Sequence, residues 1–265
     1  MRMMAANILA IYRRELQSYF KSPLAYIVAG VFWFLLGSLF ISILLRVSQQ
    51  VASIEVQRQI TAINETIDAP AWILEFFFSS TASIVMGILP LLSMNLYAEE
   101  RKRGTLELLA TSPVTNWCVA VGKLGAVSTL FISLLVPIMA IEAFTLSLSK
   151  PAIAFGVFWT GHLGLILMAT AILAIGLFIS SLTDDAILAA ILTYALVLFL
   201  FLIDFFATNI PGIFGEMLTH LSLLKHFTTM SQGVISGGGL ALFGSYILLG
   251  IFLTAQSIDL VRFQQ

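Results

Sequence analysis

The chain has 265 residues, of which 59% are hydrophobic and only 10% charged, against roughly 25% charged in an ordinary soluble domain. With a mean hydropathy of +1.01 it reads as an integral membrane protein, and no polar stretch is long enough to build a separate soluble core. A net charge of −1 excludes nucleic-acid binding through a broad basic surface, and the lone Cys118 excludes an internal disulfide.

In chain order, the first element is an amphipathic helix over 5–22. Ile8, Leu9, Tyr12, Leu16, Tyr19 and Phe20 recur at helical spacing, while Asn7, Arg13, Arg14, Gln17 and Lys21 share the opposite face. Such a helix lies in a membrane interface, and Ser22-Pro23 ends it because a residue before proline avoids helical backbone. The opening residues lack a short apolar run followed by a cleavage site, so no signal peptide is expected.

Six apolar runs then reach the roughly 20 residues that a helix needs to cross the hydrocarbon core. They fall near 24–45, 72–97, 117–148, 155–182, 186–203 and 240–258. Pro90 and Pro137 are expected to bend the second and third, and Gly30 and Gly37 offer close helix contact along the first, within the bundle or at a dimer seam. Between the first two runs, 46–70 carries Val47, Val51, Ile54, Ile60, Ile63 and Ile67, and is expected to continue as a broken amphipathic helix. Residues 204–239 are too apolar for a free loop. There Ile213, Phe214, Met217, Leu218, Leu221, Leu224 and Phe227 predict short helices that dip back into the outer leaflet or pack on the bundle, with glycines 237–239 as a flexible joint. Asp184 and Asp185 stand where they can cap the fifth span.

Lys and Arg set the orientation. Arg2, Arg13, Arg14, Lys21, Arg101, Lys102, Arg103, Lys123 and Arg262 fall on one side, and only Arg46, Arg58, Lys150 and Lys225 on the other. The positive-inside rule then predicts that both termini face the cytoplasm. Ionisable groups within spans are costly and face protein or water. Glu142 and His162, both in outward halves of their helices, are expected either to meet as a pathway or gating pair or to reach interfacial water, as is Glu75.

One loop is more elaborate than a turn requires. In EERKRGTLELLATSP, residues 99–113, Glu99 and Arg103 stand at i, i+4 on a helical extension of the second span. Gly104 breaks that extension, Thr105 can cap a new helix, and Ser112-Pro113 ends it. The expected product is a short leucine helix over 105–111, parallel to the membrane plane and suited to a groove on another protein, with Thr115 or Asn116 capping the third span. Enzymatic chemistry has little support. Gly122-Lys123 lacks the upstream glycine of a phosphate loop and is followed by leucine. His162, His220 and His226 stand in no metal-binding motif, and no serine lies in a nucleophile elbow, so neither catalytic nor metal-ligating residues are expected.

The segment YAEERKRGTLELLATSPVTNWCVAVGKLGA resembles the coupling-helix region of the permease subunits of ABC-2 type transporters. RRELQSYFKSPLAYI is similar to the connecting helix and first span of that family, and LKHFTTMSQGVISGGGLALFGSYILLGIFLTAQSIDLVRF to its closing segment, although an acidic residue expected near Gly238 is absent. Within the family the chain is most similar to permeases of gliding motility and of nitrous oxide reductase maturation. The resemblance implies an all-α, six-span permease, a single transmembrane domain over 1–265, in the inner membrane of a prokaryote. It pairs with a second copy or a homologous permease, and a separate nucleotide-binding subunit supplies ATP and Mg, so no cofactor is expected on this chain. Carried over, Thr105, Leu106, Glu107, Leu108 and Leu109 form the docking helix, Gly104 is its corner and Ser112-Pro113 its end. Glu99, Glu100, Arg101 and Arg103 contact the groove rim, and Tyr12, Arg13, Arg14, Glu15, Tyr19 and Phe20 flank the same ATPase. Residues 211–236, including Pro211, Phe214 and Phe227, form an outer gate. The expected function is ATP-driven export; the alternative is a membrane scaffold for an assembly or motility machine without net transport. The apolar spans favour lipid-linked or amphipathic cargo over small ions.

Overall fold

The computed structural model describes residues 2–61, 68–105, 115–149, 155–207, 210 and 212–263. All regular structure among them is helical, in the order α1 (Arg2–Lys21), α2 (Pro23–Thr61), α3 (Ala69–Ser93), α4 (Ala98–Lys102), α5 (Asn116–Ser147), α6 (Phe155–Leu182), α7 (Ala186–Ala207), α8 (Ile213–Leu221), α9 (Leu223–Ser231) and α10 (Gly237–Phe263). Six helical stretches are long and apolar enough to cross a membrane: Ala25–Gln57, Ala69–Lys102, Asn116–Ser147, Phe155–Leu182, Ala186–Ala207 and Gly237–Leu260.

The central helix is α6. In its most apolar stretch 72% is buried, against 28% for α2 and for α7, so α6 is the shaft about which the other spans pack. Its partners meet it at small residues. A Cβ on Gly250 of α10 would lie 2.5 Å from the Ala174 carbonyl oxygen, so the two backbones touch and no larger residue fits. Phe78, Phe131, Leu165, Leu173, Phe227 and Phe243 fill the interior. The broad apolar faces left on α2 and α7, including Phe34, Ile41, Ile187, Ile191 and Phe199, suit contact with lipid or protein.

Several expected boundaries shift for identifiable reasons. The first span continues past Arg46 as a helix, as expected, but without a break as far as Thr61: α2 runs for 39 residues, and Asp68 then caps α3 by accepting from the Ala71 N–H at 3.1 Å. The second span does not extend straight into the charged run, because the chain turns at 94–97 before α4. A neighbouring helix satisfies that break: Ser180 Oγ accepts from the Tyr97 and Ala98 N–H groups, both at 3.0 Å, and donates to Met94 O at 2.8 Å. Glycines 237–239 are not a free joint; they form the first turn of α10, capped by Ser236 Oγ accepting from the Gly239 N–H. Gly30 and Gly37 have no neighbour within 4 Å where a Cβ would stand, so neither serves close packing within the chain. Asp185 does cap α7, accepting from Ile187 and Leu188. The third span is not capped as expected: Thr115 gives its hydroxyl to Cys118 Sγ at 3.0 Å, and Asn116 turns to Asp259.

Candidate functional site: a buried charge node beneath the charged loop

At the end of the bundle that holds α4, three separate segments meet on one lysine. Lys123 lies two turns into α5 and is 3% exposed. Its Nζ donates to Leu96 O at 2.7 Å, to Glu100 Oε1 at 3.0 Å and to Glu15 Oε1 at 3.3 Å, and it stands 4.9 Å from the centre of the Tyr97 ring. An ammonium has three donors and all three are used. One cation therefore holds two carboxylates, one from α1 and one from α4. The Tyr19 hydroxyl beside them is held neutral above its usual range, first by burial, then by the charges of Glu15 and of Glu100.

The approach of α1 depends on Gly122, next to that lysine. A Cβ there would lie 2.9 Å from Ile11 Cγ2 and 3.2 Å from Ile8 O, so a larger residue would push α1 away. Tyr12 adds a hydrogen bond from its hydroxyl to Thr129 Oγ1 at 3.2 Å. The amphipathic helix thus docks on α5 through Ile8, Ile11, Tyr12 and Glu15, with Tyr19 packed against the core, whereas Leu9, Arg13, Arg14 and Phe20 are exposed. The face expected to lie in the interface is in large part a protein contact.

The charged run divides its tasks. Glu99 and Arg103 form the expected i, i+4 pair at 2.5 Å on the exposed side. Glu100 and Arg101, expected at a partner's groove rim, turn inward instead: Glu100 reaches Lys123, and Arg101 Nη1 donates to Ser181 O at 2.7 Å. Burial decides this, since a short helix pressed against α6 must place one face inside. Gly104, at φ +68°, ends α4 in the left-handed conformation that glycine adopts without strain. Thr105 closes α4, its N–H and hydroxyl both donating to Glu100 O. Leu106, Glu107, Leu108, Leu109, Ser112 and Pro113 lie outside the described residues. Two further links tie the same end together: Ser181 Oγ to Ser257 Oγ at 2.5 Å, and Asn116 Nδ2 to Asp259 Oδ1 at 2.6 Å.

At the opposite end, Glu142 and His162 meet inside the protein rather than in interfacial water. They are 0% and 2% exposed, with His162 Nε2 at 3.5 Å from Glu142 Oε2. His162 Nδ1 lies 2.9 Å from the Phe158 carbonyl oxygen, which can only accept, so that nitrogen carries a hydrogen. Phe78 and Phe158 flank the ring at 5.0 and 4.5 Å between centroids. Of the expected gate residues, Phe227 is fully buried against Phe78, Phe214 is 77% exposed on α8, and Pro211 lies outside the described residues. The structure therefore does not bring Phe214 and Phe227 together.

Sequence reasoning missed Lys123, counted only as an orienting charge, together with Ser180, Ser181 and Asp259. Two signals were present. Lys123 is a lysine inside an apolar run, and Glu15 falls in the stripe of Ile8, Ile11, Tyr12 and Tyr19 rather than on the polar face.

A six-span helical bundle whose charged loop is wired into its spans through buried polar contacts has the form of a membrane transport component. The family whose model matches, over residues 9–265, is the ABC-2 family transporter protein, and the chain belongs to that family as a permease. No curated protein matches the chain.

Proposed function

We propose that this chain is the membrane subunit of an ATP-driven exporter, working as a homodimer or heterodimer with a nucleotide-binding subunit docked on the face that carries 99–113. Both termini face the cytoplasm in this reading, the membrane is the inner membrane of a prokaryote, and the whole chain is one transmembrane domain. Thr105 to Leu109 dock in the ATPase groove, Gly104 sets their angle, Ser112-Pro113 ends them, and Glu99 and Arg103 meet the rim. ATP and Mg are bound by the partner.

The observation that carries the reading is the Lys123 node. Glu100 sits four residues before Gly104, at the mouth of the docking segment, and is bonded to a lysine of α5 that also holds Glu15 of α1. A displacement of the loop would therefore move α1 and α5 with it, because breaking the linkage would strand buried charge. The contacts of Ser180 and Arg101 extend the same linkage to α6. Closure of two ATPase subunits would pull the docked loops together and tilt the spans, and the buried Glu142 and His162 pair, with Phe227 nearby, would serve as the outer gate. Gly104→Pro and Glu107→Arg test the reading. Each should uncouple or release the ATPase while the permease stays inserted, and normal complex formation and transport in both would sink it.

A further inference from the structure

Between α2 and α3, toward the end of the bundle opposite α4, a cavity of about 450 Å³ opens sideways, within the roughly 300–1,000 Å³ of small-molecule sites. Leu39, Ile43 and Val47 of α2 and Phe76 of α3 form its apolar walls, and Arg46 and Gln50 stand at the same groove. Ser42 of α2 and Ser80 of α3 complete its lining. Greasy below and cationic above, the groove has the polarity of an amphiphile.

The depth of Arg46 selects the anion. No Asp, Glu, Lys or Arg lies between Lys21 and Arg46. From Pro23 to Arg46 an unbroken helix climbs about 35 Å at 1.5 Å per residue, against a hydrocarbon core of about 30 Å. The guanidinium thus reaches the far headgroup layer, where phosphate is the abundant anion and an arginine fork binds it in two-point fashion. Among the described residues Arg46 forms no ion pair and is exposed at the groove.

We propose that this groove is a binding site for an anionic phospholipid of the membrane, its phosphate on Arg46 and one acyl chain along Leu39, Ile43 and Phe76. Only membrane insertion is required, so the site stands or falls independently of ATPase coupling.

The test uses the full chain in nanodiscs of equal phosphatidylglycerol and phosphatidylcholine, followed by gentle release and native mass spectrometry of retained lipid. The unmodified chain should retain phosphatidylglycerol over phosphatidylcholine by about fivefold, as expected for one basic residue near a membrane surface. Arg46→Gln should abolish that preference and Arg46→Lys should keep most of it. Ser42→Trp, which fills the groove from an exposed position without altering charge, should lower retention of both lipids. Unchanged preference in Arg46→Gln would overturn the proposal. So would variants that leave retained lipid unaltered but dissociate a dimer, because the groove would then belong to a second copy.

Discussion

Removing the amine of Lys123 tests the node directly. Lys123→Met keeps the length and apolar stem of the side chain but leaves Glu15 and Glu100 facing each other with Leu96 O unpaired. Loss of one partner from a fully buried pair costs about 3–5 kcal/mol. Here the two carboxylate side chains keep 16% and 20% exposure, and water reaching them lowers the expected cost to about 2–3 kcal/mol. For a chain near this size each 1 kcal/mol moves the thermal midpoint by about 2–4 °C, so Lys123→Met should melt about 4–12 °C lower in a fixed detergent. The triple variant Lys123→Met, Glu15→Gln, Glu100→Gln removes all three charges and should recover more than half of that loss, since no uncompensated buried ion remains. A midpoint for Lys123→Met equal to that of the unmodified chain, or a triple variant no better than the single, would refute the node as the tie between α1, α4 and α5.

Other outcomes follow from the same contacts. Gly122→Leu forces a side chain into Ile11 and Ile8 and should cost about 1–3 kcal/mol as overpacking, read as faster trypsin cleavage at Arg13 and Arg14 when α1 lifts. Because the Tyr19 hydroxyl titrates higher folded than unfolded, its contribution is fully present below the ordinary tyrosine value near pH 10 and is lost as pH rises beyond it. The thermal midpoint should therefore fall above about pH 10, and Tyr19→Phe should flatten that fall. Glu142→Gln and His162→Asn should be non-additive in a double-mutant cycle, with a coupling of about 0.5–3 kcal/mol for residues in contact; additive effects would mean that the two do not act as a pair.

Much of the architecture is legible in the sequence because membrane helices are governed by length and hydropathy, and the 117–148 and 155–182 runs appear as α5 and α6 within a residue. Several of the places where the sequence misleads share one cause: a polar group whose partner lies far away in the chain. Glu100 and Arg101 look like surface charges until α5 and α6 are placed beside them. The break at 94–97 is invisible because Ser180, more than eighty residues on, supplies the hydrogen bonds that make it tolerable. Gly122-Lys123 reads as a failed phosphate loop, and only the packing of α1 reveals why a small residue precedes a lysine there. Glu142 and His162 could be assigned to matching depths from sequence, but burial could not, since depth along a helix does not say which way a side chain points.

The most direct measurement of the account is purification of the chain with its natural partners in mild detergent, with the ATP-hydrolysing subunit quantified per permease chain. One ATPase subunit per chain is predicted, lost or uncoupled in Gly104→Pro and Glu107→Arg while both variants remain membrane-inserted. A chain that carries its substrate with no ATP-hydrolysing partner bound would contradict it.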